Sequence, residues 1–172
     1  MPNHETEDKL DPKQRALDTL SQYGLGVFPV NPVDIANNMG VRVYADMLDK
    51  DLAGAIFKDD GGTPVIVISM RDAPVRQRFT CAHELGHLVK RQAEGKDLDF
   101  LDKRDGLASE GTDPEEIWAN QFAANLLMPE SEVRARVGDS TSMSRLTEHF
   151  GVSAIAMAHR LAKLKLLQKV QK

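Results

Sequence analysis

The sequence predicts an α+β domain: helices on both flanks, a small antiparallel sheet between them, and one central helix patterned to bind a metal. Three observations predict it. Apolar residues recur at helical spacing in residues 12–24 and again from Pro114 onward. Short apolar runs joined by Asp59-Asp60-Gly61-Gly62 read as strands with a hairpin. Directly after them comes FTCAHELGHLVK, residues 79–90, which holds two of the five histidines four residues apart.

The 172 residues suffice for one domain with a real core, and 41% hydrophobic with 28% charged is ordinary globular composition. No apolar run is long enough to span a bilayer. The start, MPNHETEDKLDPK, lacks an apolar stretch behind a basic one, so no secretory signal is expected and a cytoplasmic setting is. Cys81 is the single cysteine, which excludes a disulfide framework and a thiolate zinc cluster. Charge is uneven. Residues 131–172 hold eight Lys/Arg and three Asp/Glu, a net of +5, within a chain of net −4. Such asymmetry fits a surface for an acidic partner, and equally a solvated helical face.

Taken in order, residues 1–11 read as a disordered tail. Residues 12–130 read as the metal-binding domain and 131–172 as a C-terminal helical segment packed on it. Pro12 opens a helix that Gly24 closes. Asn31 and Pro32 cap and start a second, ended by Gly40. VRVYA (41–45), LAGAIFK (52–58) and PVIVISM (64–70) supply the strands. Asp72 is the expected cap of the central helix, with Pro74 in its first turn and an end near Lys90. Residues 91–112 are polar and aperiodic, a long loop. A helix then runs from TDPEE to Pro129, followed by a short one in PESEVRARV. The last two, SMSRLTEHF and SAIAMAHRLAKLKLL, meet at Gly151-Val152-Ser153.

On a helix His83 and His87 lie one turn apart on one face, so both imidazoles reach a single ion. Glu84 points beside them, toward a water rather than the metal. Two neutral imidazoles hold zinc, zinc acidifies a water, and a carboxylate takes its proton, which is the logic of H-E-x-x-H metallopeptidases. Cys81 points about 200° from His83 and is expected to be a small buried residue.

A third ligand must come from elsewhere. His149 and His159 lack supporting context. The head of the next helix offers Glu115 and Glu116, although acidic residues there also suit a capping box with Asp113. Glu116 is preferred because Asn120, one turn on along the same face, can accept from the free N–H of a ligating histidine.

RQRFTCAHELGHLV, EIWANQFAANLLMPE and LTEHFGVSAIAMAHRL, in this order, resemble the ImmA/IrrE family of zinc metallopeptidases from about Leu17 to Leu166. The resemblance implies a zincin-like fold and a gluzincin-like ligand set, in which Glu116 opens an E-x-x-x-D/N pattern completed by Asn120. It implies zinc, with manganese left open. It also implies a partner: an Xre/Cro-type helix-turn-helix repressor that is cut, or paired in toxin–antitoxin-like modules. Cys81 and Trp118 depart from the family's usual residues without touching the ligand set. Asn120 in place of aspartate leaves its histidine less basic.

In zincin-like peptidases a sheet edge holds the extended substrate. Ala53, Gly54 and Ala55 are the candidates here, since small residues let another backbone approach, though they equally suit packing under the metal helix. Tyr44, His149 and Arg160 are donors of the right type for an oxyanion, with none of them placed. The rival function is a partner-binding or DNA-binding regulator with a structural metal. SRLTEHFGVSAIAMAHRL has helix-turn-helix spacing, but its second helix opens on SAIAMA, which offers base edges little beyond Ser153, so direct DNA binding is disfavoured. Glu84 argues against a purely structural metal. A peptide deformylase is excluded because its cysteine ligand lies upstream of the histidine helix.

Overall fold

The structure is a computed structural model, and it describes residues 11–98, 113–138 and 141–170. Of the tail expected over residues 1–11, all but Asp11, which caps α1, lies outside the described residues, as does most of the long loop. Seven α-helices and three strands appear among the described residues. They run α1 (Pro12–Tyr23), α2 (Pro32–Asn38), β1 (Arg42–Asp46), β2 (Gly54–Lys58), β3 (Pro64–Ser69), α3 (Pro74–Ala93), α4 (Pro114–Leu127), α5 (Glu130–Arg136), α6 (Met143–Phe150) and α7 (Ala154–Lys163). A single 3₁₀ turn, Leu167–Lys169, follows. No described helix is long and apolar enough to cross a membrane.

Local chemistry accounts for most boundaries. Asp11 accepts from the backbone N–H groups of Lys13 and Gln14 at the head of α1, and Asn31 accepts from that of Val33 at the head of α2. Gly40 closes α2 in the left-handed region (φ +79°), with Val41 N–H bonding back to Ala36 O at 2.9 Å. The β2–β3 turn is tied by Asp59, whose side chain accepts from the N–H groups of Gly61 and Thr63.

Three expectations need correction. The sheet is mixed rather than antiparallel: its order is β1-β3-β2, with β3 antiparallel to β2 and parallel to β1. Residues 47–53 carry the chain across from one edge to the other, and the hairpin then returns β3 between them. The unbroken apolar run Val65–Ile68 suits the middle position, where the strand is paired along both edges and packed against α3; Val65, Ile66 and Ile68 are buried, while β1 is largely exposed. Second, Asp72 does not cap α3. Proline at the first helical position forces the residue before it into extended geometry, so the cap falls on Ala73, and Asp72 pairs with Arg76 instead. That helix also passes Lys90 and ends only at Ala93, where Gly95 (φ +67°) turns the chain. Third, α7 stops at Lys163 rather than continuing to Leu167. Lys165 adopts the left-handed conformation, and Leu166 N–H bonds to Leu161 O at 2.8 Å, which lets the apolar Leu166 side chain fold back into the core.

Helix α3 lies across β2 and β3, and α4 packs against both α3 and α1. One continuous core runs from Ala16 through Leu85, Phe122 and Leu126 to Phe150 and Leu161. Buried polar ties cross it. Arg160 of α7 donates to Met128 O at 2.9 Å and to Asn125 Oδ1 at 2.8 Å. Arg78 of α3 donates to Gly151 O at 3.0 Å and also reaches Val30 O.

Candidate metal centre

The site is built where α3 and α4 cross. Gly86 allows the crossing: a Cβ there would lie 3.0 Å from Phe122 Cδ1 and 3.3 Å from the Ala119 backbone. Glycine inside a helix costs about 1 kcal/mol against alanine, so it marks a place where another backbone must come close. The sequence carried that signal within the H-E-x-x-H motif, where the metal pattern draws attention away from it.

With the helices this close, His83 and His87 turn their Nε2 atoms toward each other at 3.0 Å. Glu116 completes the group, with Oε2 3.0 Å from His83 Nε2 and Oε1 3.4 Å from His87 Nε2. These side chains keep 14%, 3% and 12% of their exposure for His83, His87 and Glu116. The cluster is therefore screened from bulk solvent yet reachable. Asn120 Oδ1 lies 2.9 Å from His83 Nδ1. An amide oxygen only accepts, so Nδ1 carries a hydrogen, and in the neutral imidazole Nε2 presents its lone pair to the cluster.

Burial draws the His83 imidazole toward neutrality, but the hydrogen bond and charge of Glu116, the charge of Glu84 and the Asn120 hydrogen bond outweigh it. His83 is more basic than an ordinary histidine. Convergent lone pairs and a carboxylate call for a shared positive centre. Tetrahedral bonds of 2.0–2.1 Å place neighbouring ligand atoms roughly 3.3 Å apart, close to the separations seen here. The donor set thus fits a divalent cation: His83, His87 and Glu116 form a group that could hold one.

Glu84 is 5% exposed and lies under the sheet. Its Oε1 is 3.5 Å from where a Cβ of Gly54 would be, and that Cβ would also lie 2.5 Å from Thr80 Cγ2. So Gly54, at the head of edge strand β2, lets the strand pass directly beside the carboxylate. Gly54 and Ala55 are buried, as packing under the metal helix requires, and they lie on a strand whose outer edge pairs with nothing among the described residues.

The other candidates are placed elsewhere. Glu115 pairs with Lys90, not with the histidines. Asp113 caps α4 by accepting from Glu115 N–H. Cys81 is fully buried. Trp118 stacks on Phe122 in the interior (5.6 Å between ring centroids) rather than lining a cleft. His149 bonds Glu132 and stacks on Phe28, and His159 is exposed on α7. Arg160 is committed to Met128 and Asn125, so it is not an oxyanion donor. Tyr44 is 53% exposed on β1.

A small sheet crossed by a helix bearing His83, Glu84 and His87, with Glu116 brought in by the next helix, is a zincin-like arrangement. The chain belongs to the family described as Peptidase_M78, the IrrE N-terminal-like domain, whose model matches residues 36–162. Membership in a peptidase family points to a metallopeptidase. No curated protein matches the chain significantly. Among solved structures it is similar to a Mycobacterium tuberculosis transcriptional regulator, with a TM-score of 0.62 and 21% identity over 99% of this chain. The chain spans 54% of the length of that protein, and the likeness is one of fold.

Proposed function

We propose that the chain is a zinc-dependent endopeptidase that cuts a protein substrate, an Xre/Cro-type helix-turn-helix repressor, in the cytoplasm. The observation that carries the reading is the buried Glu84 carboxylate beside a His-His-Glu donor set. A structural metal has no use for such a group. His83, His87 and Glu116 would hold the cation, with Asn120 fixing the His83 tautomer. When bound, the cation supplies Lewis-acid polarisation of the scissile carbonyl and of the attacking water. Glu84 takes the proton from that water at its carboxylate and returns it to the leaving amine. The free edge of β2 at Ala53, Gly54 and Ala55 would pair with the extended substrate and set the peptide beside Glu84.

The repressor as substrate rests on the family resemblance, and a transcriptional regulator with this fold makes it the first partner to try. Direct DNA reading by the last helices has less support. The outward first turn of α7 presents Ala154 and Ile155, the latter 72% exposed, and these offer no hydrogen bonds to base edges.

The test mixes the protein, with zinc, and an Xre-type regulator (one encoded beside it, if such a gene exists), and follows intact masses for wild type and Glu84→Gln. A single defined cut by wild type is expected, with the rate lowered about 10²- to 10⁴-fold in Glu84→Gln while zinc stays bound. A stable uncut complex with both proteins would instead favour a pairing protein whose metal is architectural.

A further inference from the structure

We propose that Lys90 is a positioning residue of this centre: by pairing with Glu115 it sets the first turn of α4 so that Glu116, and not its neighbour, faces His83 and His87. The inference rests on reading the cluster as a metal site. Lys90 follows His87 by three residues and His83 by seven, which places all three on one stripe of α3. Its Nζ contacts Glu115 Oε1 across the helix crossing and lies 3.2 Å from Glu94 Oε1 within its own helix. Glu94 is held in turn by Lys96 at 3.0 Å.

This is a partly buried pair rather than a fully solvated one: the Lys90 side chain is 12% exposed and that of Glu115 35%. Burial works against its charge, yet Glu115 and Glu94 more than compensate, and it is more basic than an ordinary lysine. Neighbouring helix residues point about 100° apart, so anchoring Glu115 toward Lys90 fixes the direction of Glu116. The two helices are thereby joined at three successive levels: His83 to Asn120, both histidines to Glu116, and Lys90 to Glu115. Lys90 also neutralises Glu115, a second carboxylate of the same chemistry one position from the ligand.

The test compares Lys90→Met, Lys90→Arg and Glu115→Gln with wild type in three measurements. These are zinc affinity by chelator competition, imidazole ¹⁵N shifts of His83 and His87 in zinc-free protein, and zinc-free thermal unfolding. Lys90→Met and Glu115→Gln are expected to weaken zinc binding by about tenfold or more and to move both imidazole resonances, with Lys90→Arg restoring wild-type behaviour. Should Lys90→Met fail to fold, Glu115→Gln decides alone, since it keeps the side chain's size. Wild-type affinity and unmoved imidazole signals in the folded variants would overturn the inference. If wild type itself binds no zinc, the proposed function fails, and the zinc-free imidazole shifts still decide whether Lys90 orients the cluster.

Discussion

His83 Nδ1 and Asn120 Oδ1 stand 2.9 Å apart, and this contact selects the nitrogen that faces the cluster. An outer hydrogen bond of this type is worth 10- to 100-fold in metal affinity. Asn120→Ala is therefore expected to weaken zinc by roughly that factor. Asn120→Asp, a charged acceptor, should bind zinc more tightly than wild type. Chelator competition measures both, and an unaltered Asn120→Ala protein would mean the contact is idle.

Gly54 brings the edge strand beside Glu84. A methyl group at this position would collide with Thr80 Cγ2 and crowd the Val67 carbonyl at 3.1 Å, so the strand or the helix beneath it, which carries Glu84, must shift. Gly54→Ala is expected to lower the single-turnover cleavage rate by up to about 100-fold, the usual cost of misplacing reacting groups by an ångström, with zinc affinity unchanged. Normal turnover in this variant would uncouple β2 from catalysis.

Gly86→Ala sets two effects against each other. Helix propensity favours alanine by about 1 kcal/mol, whereas overpacking costs about 1–3 kcal/mol. The neighbours of the new methyl include the Ala119 backbone, which cannot rotate away, so overpacking should win. Urea unfolding of zinc-free protein is expected to show a net loss of up to about 2 kcal/mol. Equal or greater stability would show that α3 and α4 can separate freely.

Cys81 should be chemically silent. Burial first, then the charge of Glu84, push its thiol up to about 12 against the opposing pull of Arg78. The folded value lies above the unfolded one near 9.0, so the neutral thiol's contribution is complete below that pH and is lost as pH rises from there toward 12. Native protein at pH 8 should resist thiol reagents, and Cys81→Ala should flatten the alkaline fall in melting temperature. Rapid labelling of the native thiol would contradict the burial.

Much of the site was legible because its spacing is helical. His83, Glu84 and His87 follow from one turn of α3, and Glu116 with Asn120 from one turn of α4. What local pattern could not reveal is how the two helices meet. The partnership of Glu115 with Lys90 joins residues 25 apart in the chain, and no periodicity within either helix announces it. The strands were legible as segments, but their order was not. A hairpin reads from its turn, whereas the parallel pairing of β1 with β3 depends on which strand the core accepts in the middle. The end of α7 was missed for a related reason. Lys165 takes a conformation that side chains disfavour, and it does so because Leu166 has a place in the interior.

The Arg160 guanidinium, buried against Met128 O and Asn125, fastens α7 to the end of the same helix whose first turn carries Glu116. That helix acts as a strut of fixed length between the last helix and the histidine cluster. A protein grasped by the exposed side of α7 would meet the cluster at one distance and one angle. Under the proposed cleavage, reach along the bound protein would then help choose where it is cut.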